Sequence, residues 1–294
     1  MAGLWTADNK IAIGLGIGAV AGVGLIAAVS YKMSKDSDQT DNLYETQKLL
    51  HEYLIFHYGS AKENLRFDFG PKDSTDFPKR CADLCLKYYK ANPSVPSRAL
   101  DIGCAVGRSS FELTKEFDEV LGIDFSKSFV NACNTLKDHG RMVYFVTTEG
   151  DLVQNLEAKV SQDLMRSRAS FQQGDACNLP LDLGQYGCVL AANLICRLPS
   201  PKTFLARTAS LVAPGGILVI TSPYTFLQEY TPKENMIGGF REKDGKEITG
   251  FDGLKRELGD NFDLVAEENM PFLIRETARK HQWTVAHATV WKRK

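Results

Sequence analysis

Apolar positions along this chain fall into short runs that stop at glycine or aspartate. Ala99, Leu100 and Ile102 make one such run, and it ends at Gly103. A run of this kind reads as a parallel strand buried on both faces. From Ser109 to Phe117, the residues Phe111, Leu113 and Phe117 recur at roughly helical spacing. Val120, Leu121 and Ile123 form a second run, ending in Asp124. Strand, tight turn, helix and strand make half of a nucleotide-binding βαβ unit.

The pattern extends in both directions. Upstream, helices are expected over about Leu43 to Tyr58 and from Pro78 through Tyr89, with Glu63 to Phe77 irregular. Downstream, a helix is expected from about Lys127 to Lys137, a strand over Arg141 to Val146 and a polar helix over Asp151 to Arg168. Ala169 to Gln173, Gly187 to Leu194 and Ile217 to Thr221 read as strands, and Phe204 to Leu211 as a helix. Pro214-Gly215-Gly216 reads as a turn, and Lys233 to Asp252 as a loop or lid. A helix over Gly253 to Leu258 precedes strands over Phe262 to Glu267 and Trp283 to Val290. The last strand alternates and is expected antiparallel. The fold class expected is α/β, a Rossmann-like seven-stranded sheet with an N-terminal helical extension and one transmembrane helix.

That transmembrane helix is expected at Ile11 to Tyr31, which holds no charged residue and is bracketed by Lys10 and Lys32. Its length suits a bilayer core. Gly14, Gly18 and Gly22 stand four apart and offer a face for helix–helix self-association. A cleaved secretory signal competes, because Ala28-Val29-Ser30 resembles a cleavage site, but Asp8 beside Lys10 spoils the positive leader such signals carry. The expected division is an anchor over residues 1–33, a linker over 34–42, a helical extension or lid over 43–97 and the main domain over 98–294. The anchor is expected to be single-pass, with the domain facing the cytosol.

A formal net charge of -1 gives no reason to expect a nucleic-acid partner. Seven scattered cysteines do not form a disulfide framework. Cys81 and Cys85 stand at i and i+4 with no second pair or nearby histidine, so they read as core residues and no metal is expected.

The turn itself reads Asp101-Ile-Gly103-Cys104-Ala105-Val106-Gly107. A dinucleotide fingerprint would read G-x-G-x-x-G, and a phosphate loop would end in Gly-Lys-Ser/Thr. This order instead resembles the first motif of class I S-adenosylmethionine (SAM) methyltransferases, with Ala105 in place of the usual middle glycine. The resemblance implies SAM as cofactor. It implies that Gly103, Cys104, Gly107 and Arg108 border the methionine and ribose portion, and that Asp101 accepts a hydrogen bond from the cofactor or an ordered water. Asp124 would take both ribose hydroxyls, with Phe125 and Ser126 beside it. Asp175, in Gly174-Asp175-Ala176-Cys177, would reach the adenine amino group, with Ala176 offering its backbone N–H. Asn193, at the end of the fourth strand, completes the cofactor side.

A narrower resemblance covers about Leu49 to Lys294. It rests on YLIFHYG (Tyr53 to Gly59), FPKRCADLC (Phe77 to Cys85), RALDIGCAVGRSSFEL (Arg98 to Leu113), GIDFS, FQQGDACNL, LAANLICRL (Leu190 to Leu198), TSPYTFLQEYTPKENMIGG (Thr221 to Gly239) and the closing HATVWKR. These strings resemble the C-terminal methyltransferase domain of ovothiol synthases, the 4-mercaptohistidine N1-methyltransferases. The resemblance implies methylation of an imidazole nitrogen on a small histidine-like thiol. The sulfoxide-synthase domain that precedes this module in ovothiol synthases has no counterpart in these residues. Cys196 stands where that group carries an acid.

Methyl transfer needs the acceptor held in line and kept dry. A neutral imidazole is already nucleophilic near pH 7, so orientation matters more than a strong base. The crevice beyond the fourth and fifth strands is where acceptor residues belong. These are Asn193, Arg197, Ser222, Tyr224, Glu229 and Tyr230, with His57 and Tyr58 from the lid. Arg197 is expected to fork onto an amino-acid carboxylate, and Tyr224 and Tyr230 to hydrogen-bond or stack on the ring. Tyr224, Arg197 and Asn193 are the expected catalytic set. Two other readings stay open: a SAM enzyme for another small amine or a protein histidine, and a non-catalytic SAM-binding membrane module.

Overall fold

The computed structural model describes residues 43–294. The membrane segment expected over Ile11 to Tyr31, with Gly14, Gly18 and Gly22, and the linker up to Asn42 lie outside the described residues. Among the described residues no helix is long and apolar enough to cross a membrane.

The N-terminal extension is helical but broken. A 3-10 turn (Leu43–Glu45) precedes α1 (Gln47–Tyr58). Thr46 divides them, because its side chain accepts from Leu49 N and caps α1. A single turn, α2 (Ala61–Asn64), is closed by reciprocal capping between Ser60 and Glu63. α3 (Phe77–Tyr88) opens with Pro78 in its first turn and buries Phe77, Cys81, Leu84 and Cys85.

Strands and helices then alternate through β1 (Arg98–Ile102), α4 (Arg108–Leu113), β2 (Glu119–Asp124) and α5 (Lys127–His139). α4 stops short of the expected Phe117. The Thr114 hydroxyl donates to Phe111 O at 2.6 Å, taking a carbonyl the next turn would use. β3 (Arg141–Glu149) and β4 (Leu152–Lys159) form an antiparallel hairpin of their own. This corrects the helix expected over Asp151 to Arg168. Gly150 turns the chain at a φ of +52°, and Leu156 and Ala158 pair with Tyr144 and Met142. Cross-strand partners decide strand formation where local composition is polar.

The remainder is β5 (Ala169–Gln173), β6 (Tyr186–Ala192), α6 (Pro201–Leu211) and β7 (Val212–Ser222), then β8 (Phe240–Arg241), β9 (Glu247–Ile248), α7 (Gly250–Leu258), β10 (Phe262–Arg275) and β11 (His281–Arg293). Pro214-Gly215-Gly216, expected as a turn, lies inside β7. The register against β6 shifts between Tyr186 and Cys188, so the two glycines form a bulge that the strand absorbs. The segment expected as a loop over Lys233 to Asp252 contains the small β8–β9 hairpin. β10 and β11 run 14 and 13 residues, well beyond the expected strands, because they pair with each other along nearly their whole length.

Seven strands form one sheet in the order β10-β11-β7-β6-β1-β2-β5. The five from β7 to β5 are parallel, and β11 joins β7 antiparallel. The fold is therefore a Rossmann-like α/β sheet, as expected. β6 is buried along its length until Ala192, which matches a strand covered on both faces. One face packs Cys188, Leu190 and Val219 against α3, and the other packs Val189, Leu218 and Ile220 against α6, α7 and Trp291.

Candidate active site

β1 has β2 on one side and β6 on the other, so successive connections leave it in opposite directions. The crevice opened at such a switch point, beyond the carboxyl ends of the strands, is where this architecture binds ligands. The backbone here is strained. Among the described residues four non-glycine positions have positive φ, and three of them follow ends of β1, β6 and β7: Ala105 (+47°), Asn193 (+52°) and Tyr224 (+53°). Such conformations cost about 1–3 kcal/mol each and persist only where their surroundings hold them. Each is held by its own amide. Ala105 N donates to Asp124 Oδ2 at 2.9 Å, Asn193 N donates to Thr221 O at 2.8 Å, and Tyr224 N donates to Ser222 Oγ at 3.0 Å.

Asp124 stands at the centre of the side where the cofactor is expected. Its second oxygen, Oδ1, accepts from Ser126 N at 2.9 Å. Burial pushes its carboxyl up to about 6, against the backbone N–H groups of Ser126 and Ala105 that hold it down. No cation pairs with it among the described residues, while each oxygen keeps acceptor capacity. A half-buried carboxylate fixed by amides and lacking a counter-ion fits a neutral diol such as a ribose. Asp175 is exposed, and only its Oδ1 is engaged, accepting from Cys177 N at 2.8 Å. Ala176 is buried beside it and Phe125 is 60% exposed at the mouth.

Several residues expected to touch the cofactor brace the turn from behind instead. Asp101 is 1% exposed, and its Oδ2 accepts from Ser110 Oγ at 2.6 Å. A group lining an open cleft would not be so covered. Burial pushes this carboxyl up to about 7, despite the Ser110 hydrogen bond. Ser126 is fully buried; its hydroxyl donates to Tyr44 O at 2.9 Å and caps α5 by accepting from Phe129 N. Cys104 is buried, so only its backbone is available to a ligand. Gly103 and Gly107 have φ of +76° and +82°, and a Cβ on Gly107 would press on Cys133 and Phe171. Glycine is required there by conformation and internal packing. Arg108 is spent on Glu112, at 2.7 Å, and on the carbonyl of His57.

The acceptor side divides in the same way. Arg197 lies with its guanidinium 5.0 Å from the ring centroid of Tyr230, and its Nη1 donates to Thr225 O at 2.9 Å and Cys196 O at 3.0 Å. No carboxylate is within ion-pair distance of it among the described residues. Tyr224 is half-buried, with its hydroxyl on His287 Nδ1 at 2.9 Å. The Asn193 side chain accepts from Thr221 Oγ1 at 3.0 Å. Glu229 is exposed and has only an electrostatic influence on Tyr230. Ser222 is fully buried and serves the Tyr224 turn, which corrects its expected contact with an acceptor. Tyr58 is likewise spent, donating to Val106 O at 2.8 Å across the glycine turn. His57 is buried, with Nδ1 unpaired, and burial beside Arg108 lowers its imidazole to about 3.

Three participants escaped the sequence reading. Tyr44 lies within electrostatic range of Arg197, Tyr230 and Asp124, and burial raises its phenol to about 12. Tyr53 packs edge-on to it at 6.2 Å. His287 stands opposite Ser222 in the β11–β7 register. Tyr53 and His287 each open a quoted string, YLIFHYG and HATVWKR, so a signal was present. Tyr44 lies upstream of every such string. Two clefts of about 430 and 740 Å³ lie elsewhere, beside Val95 and Ser97 before β1 and beside His139 and Val143 at the hairpin. Neither is lined by any of the residues above.

Residues 100–220 match the family described as methyltransferase domain. Ajmaline N-methyltransferase from Rauvolfia serpentina is 26% identical over 141 residues, 47% of this chain and 40% of that protein. Norajmaline N-methyltransferase from the same plant is 29% identical, over 49% of this chain and 42% of that one. The chain thus spans about two fifths of the length of these curated relatives. The solved structure of the [4+2]-cyclase SpnF matches with a TM-score of 0.51 at 16% identity, over 86% of this chain and 94% of that one. At that identity the likeness is one of fold. The glycine turn, Asp124 and the parallel strands β2, β5 and β6 all lie within the stretch that matches the methyltransferase domain family, residues 100–220.

Proposed function

We propose that this protein is an N-methyltransferase whose acceptor is an imidazole nitrogen of a small, histidine-like thiol carrying a free carboxylate. The observation that carries the reading is Arg197. It is a half-buried guanidinium beside Tyr230 with no carboxylate partner among the described residues, set at the ends of β6 and β7. An unpaired buried charge is costly, and an acceptor carboxylate would remove that cost with a fork of charged hydrogen bonds.

SAM, when bound, supplies a methyl group on a sulfonium. Asp124 would hold its ribose, the free Oδ2 of Asp175 its adenine amino group, and the backbone from Gly103 to Gly107 its methionine portion. Tyr44 and Tyr53 would close the site over the acceptor and exclude water. Cys196, where the resembling group has an acid, leaves Arg197 free for the acceptor. The names of the two Rauvolfia relatives favour nitrogen over oxygen as the methylated atom and equally suit a second reading, another small amine. The N-terminal segment Ile11 to Tyr31 would hold the enzyme at a membrane.

A methyl-transfer assay with isotopically labelled SAM tests this, using histidine, thiohistidines, imidazole lacking a carboxylate, small amines and a histidine peptide. Mass spectrometry should find label on a ring nitrogen of the carboxylate-bearing azoles first. Faster labelling of plain amines, or of the peptide, would replace the proposed acceptor. No labelling of any compound despite SAM binding would favour a non-catalytic module.

A further inference from the structure

The geometry points to a proton relay running from Tyr224 through His287 to Glu267, which we propose takes up the ring N–H proton that the acceptor gives up as its other nitrogen is methylated. The inference rests on the N-methyltransferase reading above and assigns the residues that complete it.

Tyr224 leaves β7 in a left-handed conformation, and this turn is built around its ring. A Cβ on Gly250 would come within 2.3 Å of Tyr224 Cδ1, so the first residue of α7 has no side chain where the ring lies. The ring ends with its hydroxyl 2.9 Å from His287 Nδ1. His287 Nε2 is 3.3 Å from Glu267 Oε2 on β10. Phe251 from α7 packs edge-on to the imidazole at 4.7 Å and shields it. On α7, Lys255 lies over the same Phe251 ring and pairs with Asp252. Three separate elements therefore converge on one histidine.

This order fixes the direction of proton flow. The Glu267 carboxylate favours a proton on Nε2, which leaves the Nδ1 lone pair to accept the Tyr224 hydroxyl. Tyr224 Oη keeps its own lone pairs and can accept from a ligand. Burial raises the Tyr224 phenol above its ordinary value, and Glu267 raises it further, so it stays protonated at neutral pH and acts by passing a proton on. As the acceptor's unprotonated ring nitrogen bonds to the methyl carbon, the carbon–sulfur bond breaks and sulfur keeps the electron pair. The ring becomes cationic and its remaining N–H acidic. That proton goes to Tyr224 Oη, the phenolic proton goes to His287 Nδ1, and the imidazolium is balanced by Glu267. The products are a neutral methylated ring and a neutral thioether. Tyr224 would be the catalytic residue here, and His287 and Glu267 act through it.

The test compares the full chain with Tyr224→Phe, His287→Gln and Glu267→Gln. Each is followed by the pH profile of kcat, and the chains that keep His287 also by nitrogen NMR of its imidazole without ligands. General-acid and general-base groups contribute about 10²–10⁴-fold, so Tyr224→Phe and His287→Gln should lower kcat roughly 10²-fold with KM for both substrates nearly unchanged. In Glu267→Gln the Nε2-protonated tautomer of His287 should lose population and kcat should fall, because the carboxylate no longer holds the proton on Nε2. Turnover at the wild-type rate and with the wild-type profile in all three variants overturns the relay and leaves the methyltransferase reading standing. Unchanged His287 tautomer populations in Glu267→Gln overturn the pairing without reference to turnover. An absence of turnover with any acceptor overturns the N-methyltransferase reading and the relay with it.

Discussion

Glu45 accepts a hydrogen bond from the Ser128 hydroxyl at 2.7 Å, across 83 residues of chain. The same carboxylate accepts from the amides of Lys127 and Ser128, the first residues of α5. It is a helix cap supplied from outside the helix, and it places Tyr44 over the end of β2. Burial works to raise the Glu45 carboxyl, but the bonds from Ser128 and Lys127 outweigh it and hold it below the ordinary range. Glu45→Gln should cost about 0.5–1 kcal/mol once solvent screening is allowed for, measured by urea unfolding. Glu45 also raises Asp124. The variant should therefore shift the titration of Asp124 to lower pH, and a shift upward would contradict the placement.

Asp124 itself sets a pH window for cofactor binding. Its carboxyl is pushed up to about 6 in the unliganded protein, and only the ionised form accepts from two hydroxyls at once. SAM affinity should rise as pH goes from 5 to 7.5, by at most about tenfold per unit below 6. Asp124→Ala should weaken binding by at least about tenfold at pH 7.5, since hydrogen bonds to a charged group are worth about 1.5–3 kcal/mol. Calorimetry giving equal affinities for both proteins would remove the ribose role.

Asp101 offers a stability test with a definite sign. Its carboxyl is raised to about 7 by burial, far above an unfolded aspartate. Between pH 4 and 7 the folded protein holds a proton that the unfolded chain releases, so this group's contribution to stability falls as pH rises. Asp101→Asn has no charge to bury and can still accept from Ser110. Its melting temperature relative to the parent should climb from pH 5 to pH 8. A constant difference across that range would mean that Asp101 is ionised throughout.

Arg197 should act on the acceptor alone. Arg197→Ala should reduce kcat/KM by the equivalent of about 2–4 kcal/mol for a carboxylate-bearing acceptor, with SAM binding nearly unchanged. Cys196→Asp would place a carboxylate beside the guanidinium and should raise KM for the same acceptor roughly tenfold, which corresponds to about 1.4 kcal/mol. Neither variant should affect an acceptor that lacks the carboxylate. Loss of SAM binding in Arg197→Ala would assign the residue to the cofactor side.

The N-terminal segment is tested by fractionation. Full-length protein should stay with membranes through a carbonate wash, and a chain beginning at Asp36 should be released. Release of the full-length protein, or a mature N-terminus at Tyr31, would rule out an anchor.

The sequence alone determined the parallel core, because buried parallel strands are written as short, largely apolar runs: Ala99 to Ile102 and Val120 to Ile123 lie in β1 and β2, and the run from Gly187 as far as Ala192 lies in β6. The resemblance that implies SAM was legible too, since the glycine turn and Asp124 lie within one βαβ unit and their spacing is local. What it could not settle is which polar side chains face the crevice. Asp101, Ser126, Ser222 and Tyr58 have the right residue types at the right strand and loop ends, yet each is spent on an internal hydrogen bond. Tyr44 and His287 became part of the site only through pairing across 82 residues, by Ser126 with Tyr44, and across 63 residues, by Tyr224 with His287. Hydrogen-bond partners so distant in sequence leave no periodicity to read. The tertiary fold decided them, because a buried donor must find an acceptor wherever the packed chain brings one.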